Sequence, residues 1–141
     1  MDAPGEGRSN PERLRFQDFS FERLPSGHCR ARVVLSWADG RQFVGEAEGV
    51  ISQAGELRCS AGAAVRALER VVHPKLGFEV LGVKAVRAFD ATVVIVSLSA
   101  RTETGITRLV GSYLAQTDSP QGAALAVLNA TNRMLGNYYS R

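Results

Sequence analysis

The chain repeats itself, and an internal repeat constrains a fold more than any other feature of a sequence. Three blocks recur in the same order, the outer two at a spacing of 60 residues and the middle one at a spacing of 66. We therefore predict a tandem duplication whose second hairpin is six residues longer, with the extra residues placed in its loop. The matching blocks are 31–35 with 91–95, 43–45 with 109–111, and 62–64 with 122–124, followed by Leu68 with Leu128.

The first copy has the pattern of three strands and a helix. Alternating and β-branched residues predict the strands, and Asp39-Gly40 predicts a two-residue hairpin turn. Ser60 is predicted to cap the helix, which ends at His73-Pro74 because proline cannot continue it. The predicted strands lie at 16–24, 30–38 and 41–49.

The second copy has the same pattern. Residues 101–105 are predicted to form the longer hairpin loop. Ser119, followed by Pro120, is predicted to cap the second helix, which extends to about Leu135, with Gly136 just after its end. The predicted strands lie at 78–89, 91–100 and 106–115.

Two copies of a βββα unit predict an α+β fold, with two antiparallel three-stranded sheets that each carry one helix and are related by a pseudo-two-fold axis. We predict a flexible N-terminal tail at residues 1–14. Residues 15–141 are predicted to form a single domain, made of the repeats 15–74 and 77–136 and a short C-terminal tail.

Composition limits the classes of function. Of the 141 residues, 45% are hydrophobic and 22% charged, which is typical of a globular domain with a core. No apolar run approaches the roughly 18 residues of a membrane span, and the N-terminus does not resemble a signal peptide, so we expect a cytoplasmic protein that does not contact membranes. Cys29 and Cys59 form no CxxC pair, so we expect no metal and no cofactor.

No catalytic constellation is visible in the sequence, so we expect a protein that is not an enzyme. It contains no G-x-S-x-G, P-loop or dinucleotide fingerprint. The net charge of +3 comes mainly from arginines that are interleaved with acidic residues. This pattern is typical of a solvated surface; a nucleic-acid-binding surface is the alternative.

The last helix carries a motif of the form D-x7-A-x-L-N-A-x-N-R. This motif resembles the C-terminal regulatory domain of isopropylmalate synthase and of the related citramalate synthases, as does the preceding Val110-Gly111 pair. The resemblance covers the second half of the chain, and the first half only through the duplication. It implies two βββα units, dimerisation and binding of a pathway end product such as an amino acid. The motif residues are Asp118, Ala126, Leu128, Asn129, Ala130, Asn132 and Arg133.

The resemblance also implies a ligand site where the groove between the units meets the helix N-termini. Helix N-termini favour a carboxylate, and Asp118 would hold an ammonium group. Asp118 could instead be a plain helix-terminal carboxylate. Gln121-Gly122-Ala123 and Pro120 depart from the family pattern, and the family's catalytic barrel has no counterpart in this sequence. The ligand-site residues predicted in this way are Gly45, Gly111, Asp118, Ser119, Gln121 and Gly122.

Three motif residues have predicted structural roles. Asn129 and Asn132 are expected to hydrogen-bond to the neighbouring strand more readily than to a ligand, since asparagine is a poor helix former. Arg133 is expected in the last helical turn, where a cation is favourable.

The strand at 91–100 is apolar on both faces, whereas one helix covers only one face of a sheet. We therefore predict a homodimer, with Tyr138 and Tyr139 as further interface residues. The partners expected are a second copy of the chain, a small amino-acid-like ligand or another protein.

Overall fold

Three strands and a helix, followed by three more strands and a second helix, make up the fold in the computed structural model, which describes residues 14–116 and 118–139. Almost all of the predicted tail 1–14 lies outside the described residues, as do the side chains of Tyr138 and Tyr139. The elements are β1 (Arg15–Arg23), β2 (His28–Ser36), β3 (Gln42–Val50), α1 (Gln53–Val72), β4 (Gly77–Ala88), β5 (Ala91–Thr102), β6 (Gly105–Ala115) and α2 (Ser119–Tyr139).

The strands form two antiparallel sheets, which confirms the predicted fold class. Sheet A has the order β1-β2-β3 and sheet B the order β4-β5-β6. α1 packs on β3 and β2, and α2 packs on β6 and β5, while the two helices also pack against each other. The buried residues of both units belong to one hydrophobic cluster. We call the face of each sheet turned away from this cluster its outer face.

The hairpin turns differ from the prediction. The turn after β2 has three residues, not two, because Trp37 N donates to Arg41 O at 2.9 Å and Gly40 takes a φ of +95°. In sheet B the strands continue further than predicted, to Thr102 and from Gly105, so a two-residue turn replaces the predicted long loop. The extra residues of the second hairpin therefore extend its strands.

Both helices begin earlier than predicted. Ser52 caps α1 and accepts from Gly55 N at 2.9 Å. Ser60, the predicted cap, is buried inside α1 and donates to Glu56 O at 2.9 Å. Serine side chains inside helices often make this hydrogen bond to the carbonyl four residues earlier. At the other end of the domain, α2 continues to Tyr139. Gly136 is therefore inside the helix, and Arg133 precedes its last turn.

The repeat is real, but its predicted register is wrong by three residues for β2 and for the helix. Val33 pairs with Gly45, whereas Val96, not Val93, pairs with Gly111. An odd shift moves a strand residue to the opposite face. The observed offsets are 64 residues between β1 and β4, 63 between β2 and β5, 66 between β3 and β6, and 63 between the helices.

Two independent features support these offsets. Each sheet has a bulge at the same place in its first strand, at Gln17 in β1 and at Leu81 in β4. Each helix also sends one side chain to a backbone carbonyl of its edge strand. Arg66 Nη1 donates to Glu46 O at 2.7 Å, and Asn129 Nδ2 donates to Ser112 O at 2.7 Å.

Candidate functional site

Four of the predicted ligand residues lie together at the start of α2. Asp118 caps this helix, since its Oδ1 accepts from Gln121 N at 3.1 Å and its carbonyl from Gly122 N at 3.0 Å. Ser119, the predicted cap, is instead the first residue of the helix. The Asp118 side chain is exposed and accepts from a backbone amide of the first helical turn. This capping role explains an aspartate at this position without a ligand.

The other two predicted ligand residues, Gly45 and Gly111, lie in different units and are both buried beneath a helix. A Cβ atom at Gly45 would collide with Ala63 O and Ala67 N, and one at Gly111 would stand 2.5 Å from Ala130 N. The close approach that these glycines permit is therefore made by helix backbone. They were predicted to admit a ligand, but the helix fills the space beside them.

The motif residues on α2 divide into two kinds. Asn129 hydrogen-bonds to the edge strand, as predicted in preference to a ligand contact. Asn132 and Arg133 are exposed on the same helix. Their positions correspond to Glu69 and Arg70 of α1 under the observed offset of 63.

The outer face of sheet A carries a row of ion-paired side chains, which we call the ionic row: Glu22, Arg30 and Glu48. Neighbouring strands place these three side by side. Arg30 Nη2 lies 2.9 Å from Glu48 Oε2, and Arg30 Nη1 lies 3.5 Å from Glu22 Oε1. The hydrogen bond and charge of Glu48 raise the pKa of Arg30. The ionic row is open to water, whereas Val34 further along the same face is buried.

At the equivalent positions, sheet B carries Val86, Val93 and Leu114, which we call the apolar row. Strand pairing again places the three side by side. Further apolar residues lie along the same face, since Leu114, Val110 and Ile106 are 51%, 68% and 72% exposed. They alternate with polar residues of the same face: Lys84, Ser97, Ser99, Arg101, Arg108 and Ser112. The fold tolerates charge at these positions, as the ionic row proves, so folding alone does not require the apolar residues.

Phe89 lies at one end of this face, in the turn between β4 and β5. Its side chain is fully exposed. Phe89 and Asp90 have φ angles of +53° and +62°, a left-handed conformation that two-residue turns usually assign to Asn or Gly. A bulky residue is disfavoured there. The position therefore combines backbone strain with an exposed aromatic ring.

The two cysteines are buried and free. Cys59 Sγ donates to Ala47 O at 3.1 Å, and burial, followed by the proximity of Cys29, raises the pKa of Cys59 to about 12. A thiol of this kind is a poor nucleophile. Among the described residues, no group of three or more His, Cys, Asp or Glu side chains is placed to hold a metal ion.

Several arginines counted toward a nucleic-acid surface are engaged by carboxylates. Arg23 pairs with Glu56 at 2.8 Å and Arg41 with Asp39 at 2.9 Å, in addition to the pairs of Arg30. Such pairs neutralise charge that phosphate binding uses. In the described part of the chain, no helix is long and apolar enough to cross a membrane.

Comparison of the chain with models of known protein families gave no match, and neither did comparison with curated protein sequences. The outer face of sheet B is the strongest candidate for a functional surface. The uncovered apolar face of its central strand was predicted from the sequence, but the contrast with the ionic row needs the observed register.

Proposed function

We propose that the chain is a non-catalytic domain of the regulatory type that forms a homodimer through the outer face of sheet B. The observation that carries this proposal is the replacement of the ionic row by the apolar row at equivalent positions of two otherwise similar sheets. An exposed apolar face is costly in water unless a partner covers it.

The size of the face suits a dimer. Strands of 12, 12 and 11 residues make a face roughly 40 Å long and 14 Å wide, since residues rise about 3.4 Å each and strands lie about 4.8 Å apart. Phe89 adds about 200 Å² of aromatic surface at one end. The total, which includes the polar residues of this face, approaches the roughly 600–800 Å² per partner of a stable interface. Two such faces can pack at about 10 Å separation, as the sheets of a sandwich do.

A second copy is the partner that we propose, since a two-fold contact brings one apolar row against another without any further partner. The ionic row provides the test. The triple variant Val86→Glu, Val93→Arg and Leu114→Glu copies it into sheet B. We expect this variant to fold, because sheet A already carries the same three residues, and to weaken self-association more than about a hundredfold.

Light scattering coupled to size exclusion, at micromolar concentration, measures the outcome. The wild type should have a mass near twice 15.2 kDa, and the triple variant a mass near 15.2 kDa with unchanged circular dichroism. As a matched control, replacing Glu22, Arg30 and Glu48 by glutamine alters three residues of sheet A and should leave the dimer intact. A monomeric wild type, or a triple variant that remains a dimer, refutes the proposed interface.

The amino-acid ligand implied by the resemblance stays a prediction with its own test. A ligand that binds the folded state raises the melting temperature. A thermal-shift screen of amino acids and 2-oxo acids should therefore find at least one that does so in the wild type. Asp118→Asn should abolish that shift and still cap α2, because Asn and Asp are about equally good caps. A screen without any shift removes this ligand class.

A further inference from the structure

A groove of about 940 Å³ opens between the edge of β3 and α1, and we call it the edge groove. One wall is the backbone of residues 42–46, and the other is a stripe of α1 at positions i, i+3 and i+4, continued by the residue that caps the helix C-terminus. It lies in the first unit, so it does not depend on the dimer proposed for sheet B. The residues of this wall are Arg66, Glu69 and Arg70 of α1 and His73, which caps the C-terminal end of the helix.

The strand wall presents backbone groups that no strand in the described part of the chain pairs with. β3 is an edge strand and pairs with β2 on one side only. The carbonyl of Glu46 points away from β2, since it accepts from Arg66. Backbone groups two residues apart point the same way, so the N–H and C=O of Val44 also face the groove. An open edge of this kind can template a further strand.

The helix wall carries two arginines and one carboxylate, Arg66, Arg70 and Glu69, so its net charge is positive. The Arg66 guanidinium donates to an uncharged carbonyl, and Arg70 is exposed, with no ion pair to any carboxylate of the described residues. The Glu69 carboxylate accepts from Phe78 N at 2.9 Å and keeps its negative charge, which offsets one of the two arginines. The carboxylate of Glu46 is paired with Arg32 at 3.5 Å on the outer face. The groove is therefore electrostatically suited to an acidic partner.

The second unit shows that the charge of Arg66 exceeds what the fold needs, whereas Arg70 has a charged counterpart in Arg133. Asn129 occupies the position of Arg66 and makes the same hydrogen bond to the edge strand at the same distance, 2.7 Å. An uncharged amide therefore suffices to fix the helix on the strand. The guanidinium of Arg66 has donors left for a carboxylate, and its planar fork matches that group.

We propose that the edge groove binds an extended acidic peptide segment of a partner protein. The segment adds to β3 as a fourth strand of sheet A, with main-chain hydrogen bonds to Val44, and places its carboxylates at Arg66 and Arg70. This is strand addition at a sheet edge, with affinity from the main chain and selectivity from the cationic helix wall.

Fluorescence anisotropy with a labelled hexapeptide of alternating valine and glutamate tests the proposal. The wild type should bind this probe, and a hexapeptide of alternating valine and lysine should not bind. Arg66→Asn, which reproduces the second unit, and Arg70→Gln should each weaken binding at least about tenfold, the loss of one charged hydrogen bond. Arg133→Gln, the matched change in the second unit, and the monomeric triple variant should bind as the wild type does.

Three results overturn the proposal. The first is no binding of the acidic probe up to about 1 mM protein, the weakest affinity worth assigning. The second is unchanged affinity in both Arg66→Asn and Arg70→Gln. The third concerns strand addition itself: if the probe methylated on alternate main-chain nitrogens binds equally well, the groove recognises carboxylates and not an extended strand.

Discussion

Replacing Gly45 by alanine tests whether the close contact between α1 and β3 is a requirement of the fold. A Cβ atom at this position would collide with Ala63 O and Ala67 N, far inside the 3.0 Å that real Cβ atoms respect. Both obstructing atoms belong to helix backbone, so no side chain can rotate to make room. The variant folds only if α1 moves away from sheet A.

The magnitude follows from that movement. Overpacking a core typically costs 1–3 kcal/mol, and a clash with backbone belongs at the upper end of this range. We therefore expect Gly45→Ala to lower the free energy of unfolding by about 3 kcal/mol, a large part of the roughly 5–15 kcal/mol of a typical domain. For a chain of this size the midpoint of thermal unfolding should fall by about 10 °C.

Urea unfolding followed by circular dichroism measures this change, at one fixed protein concentration because a dimer's stability depends on concentration. Gly82→Ala is the matched control, since it is also a strand glycine and a Cβ atom there meets nothing within 4 Å. Gly111→Ala should resemble Gly45→Ala, because Ala130 N would be 2.5 Å away. If Gly45→Ala unfolds at the same urea concentration as Gly82→Ala, the glycine has no such role.

Three further predictions concern strain, ionisation and capping. Phe89→Asn should stabilise the monomer, because asparagine tolerates a positive φ, yet weaken the dimer; equal dimer affinity in light scattering contradicts an interface role for the ring. Burial raises the pKa of Cys59 from 9.0 to about 12, so the thiol ionises at lower pH in the unfolded state than in the folded state. The free energy of unfolding should therefore fall between pH 9 and pH 12. In urea titrations across this range, Cys59→Ala should lack the part of the decrease that this thiol causes. Asp118→Ala should cost about 1 kcal/mol through loss of its cap, and Asp118→Asn very little, as urea midpoints will show.

The fold could be predicted from the sequence, but the register of the repeat could not. Strand β5 is apolar on both faces, so by residue type alone Val33 can be aligned with Val93 or with Val96. Strand pairing and burial show that Val96 is the equivalent of Val33, since both are fully buried. A sequence match that ignores the two faces of a strand cannot make this distinction.

The uncovered apolar face of β5 was predicted from the sequence, but the misplaced register hid the contrast between the two sheets. At a spacing of 60, Arg30 corresponds to Asp90 in a turn, so no contrast between the sheets is visible. At the observed spacing of 63, Arg30 corresponds to Val93, and the ionic and apolar rows coincide. The edge groove was beyond sequence reasoning for another reason, since it depends on which backbone groups of β3 point away from β2.

The two units act as controls for each other. The residues they share are those that the helix–sheet contact demands: the glycines Gly45 and Gly111 beneath helix backbone, and the alanines Ala67 and Ala130 above them. The units differ most in side chains that face outward. The sheets fold with the ionic row in one unit and the apolar row in the other, and the helices with Arg66 in one unit and Asn129 in the other. Folding therefore leaves these positions free, and the outer face of sheet B and the edge groove are where binding to a partner can determine the residue.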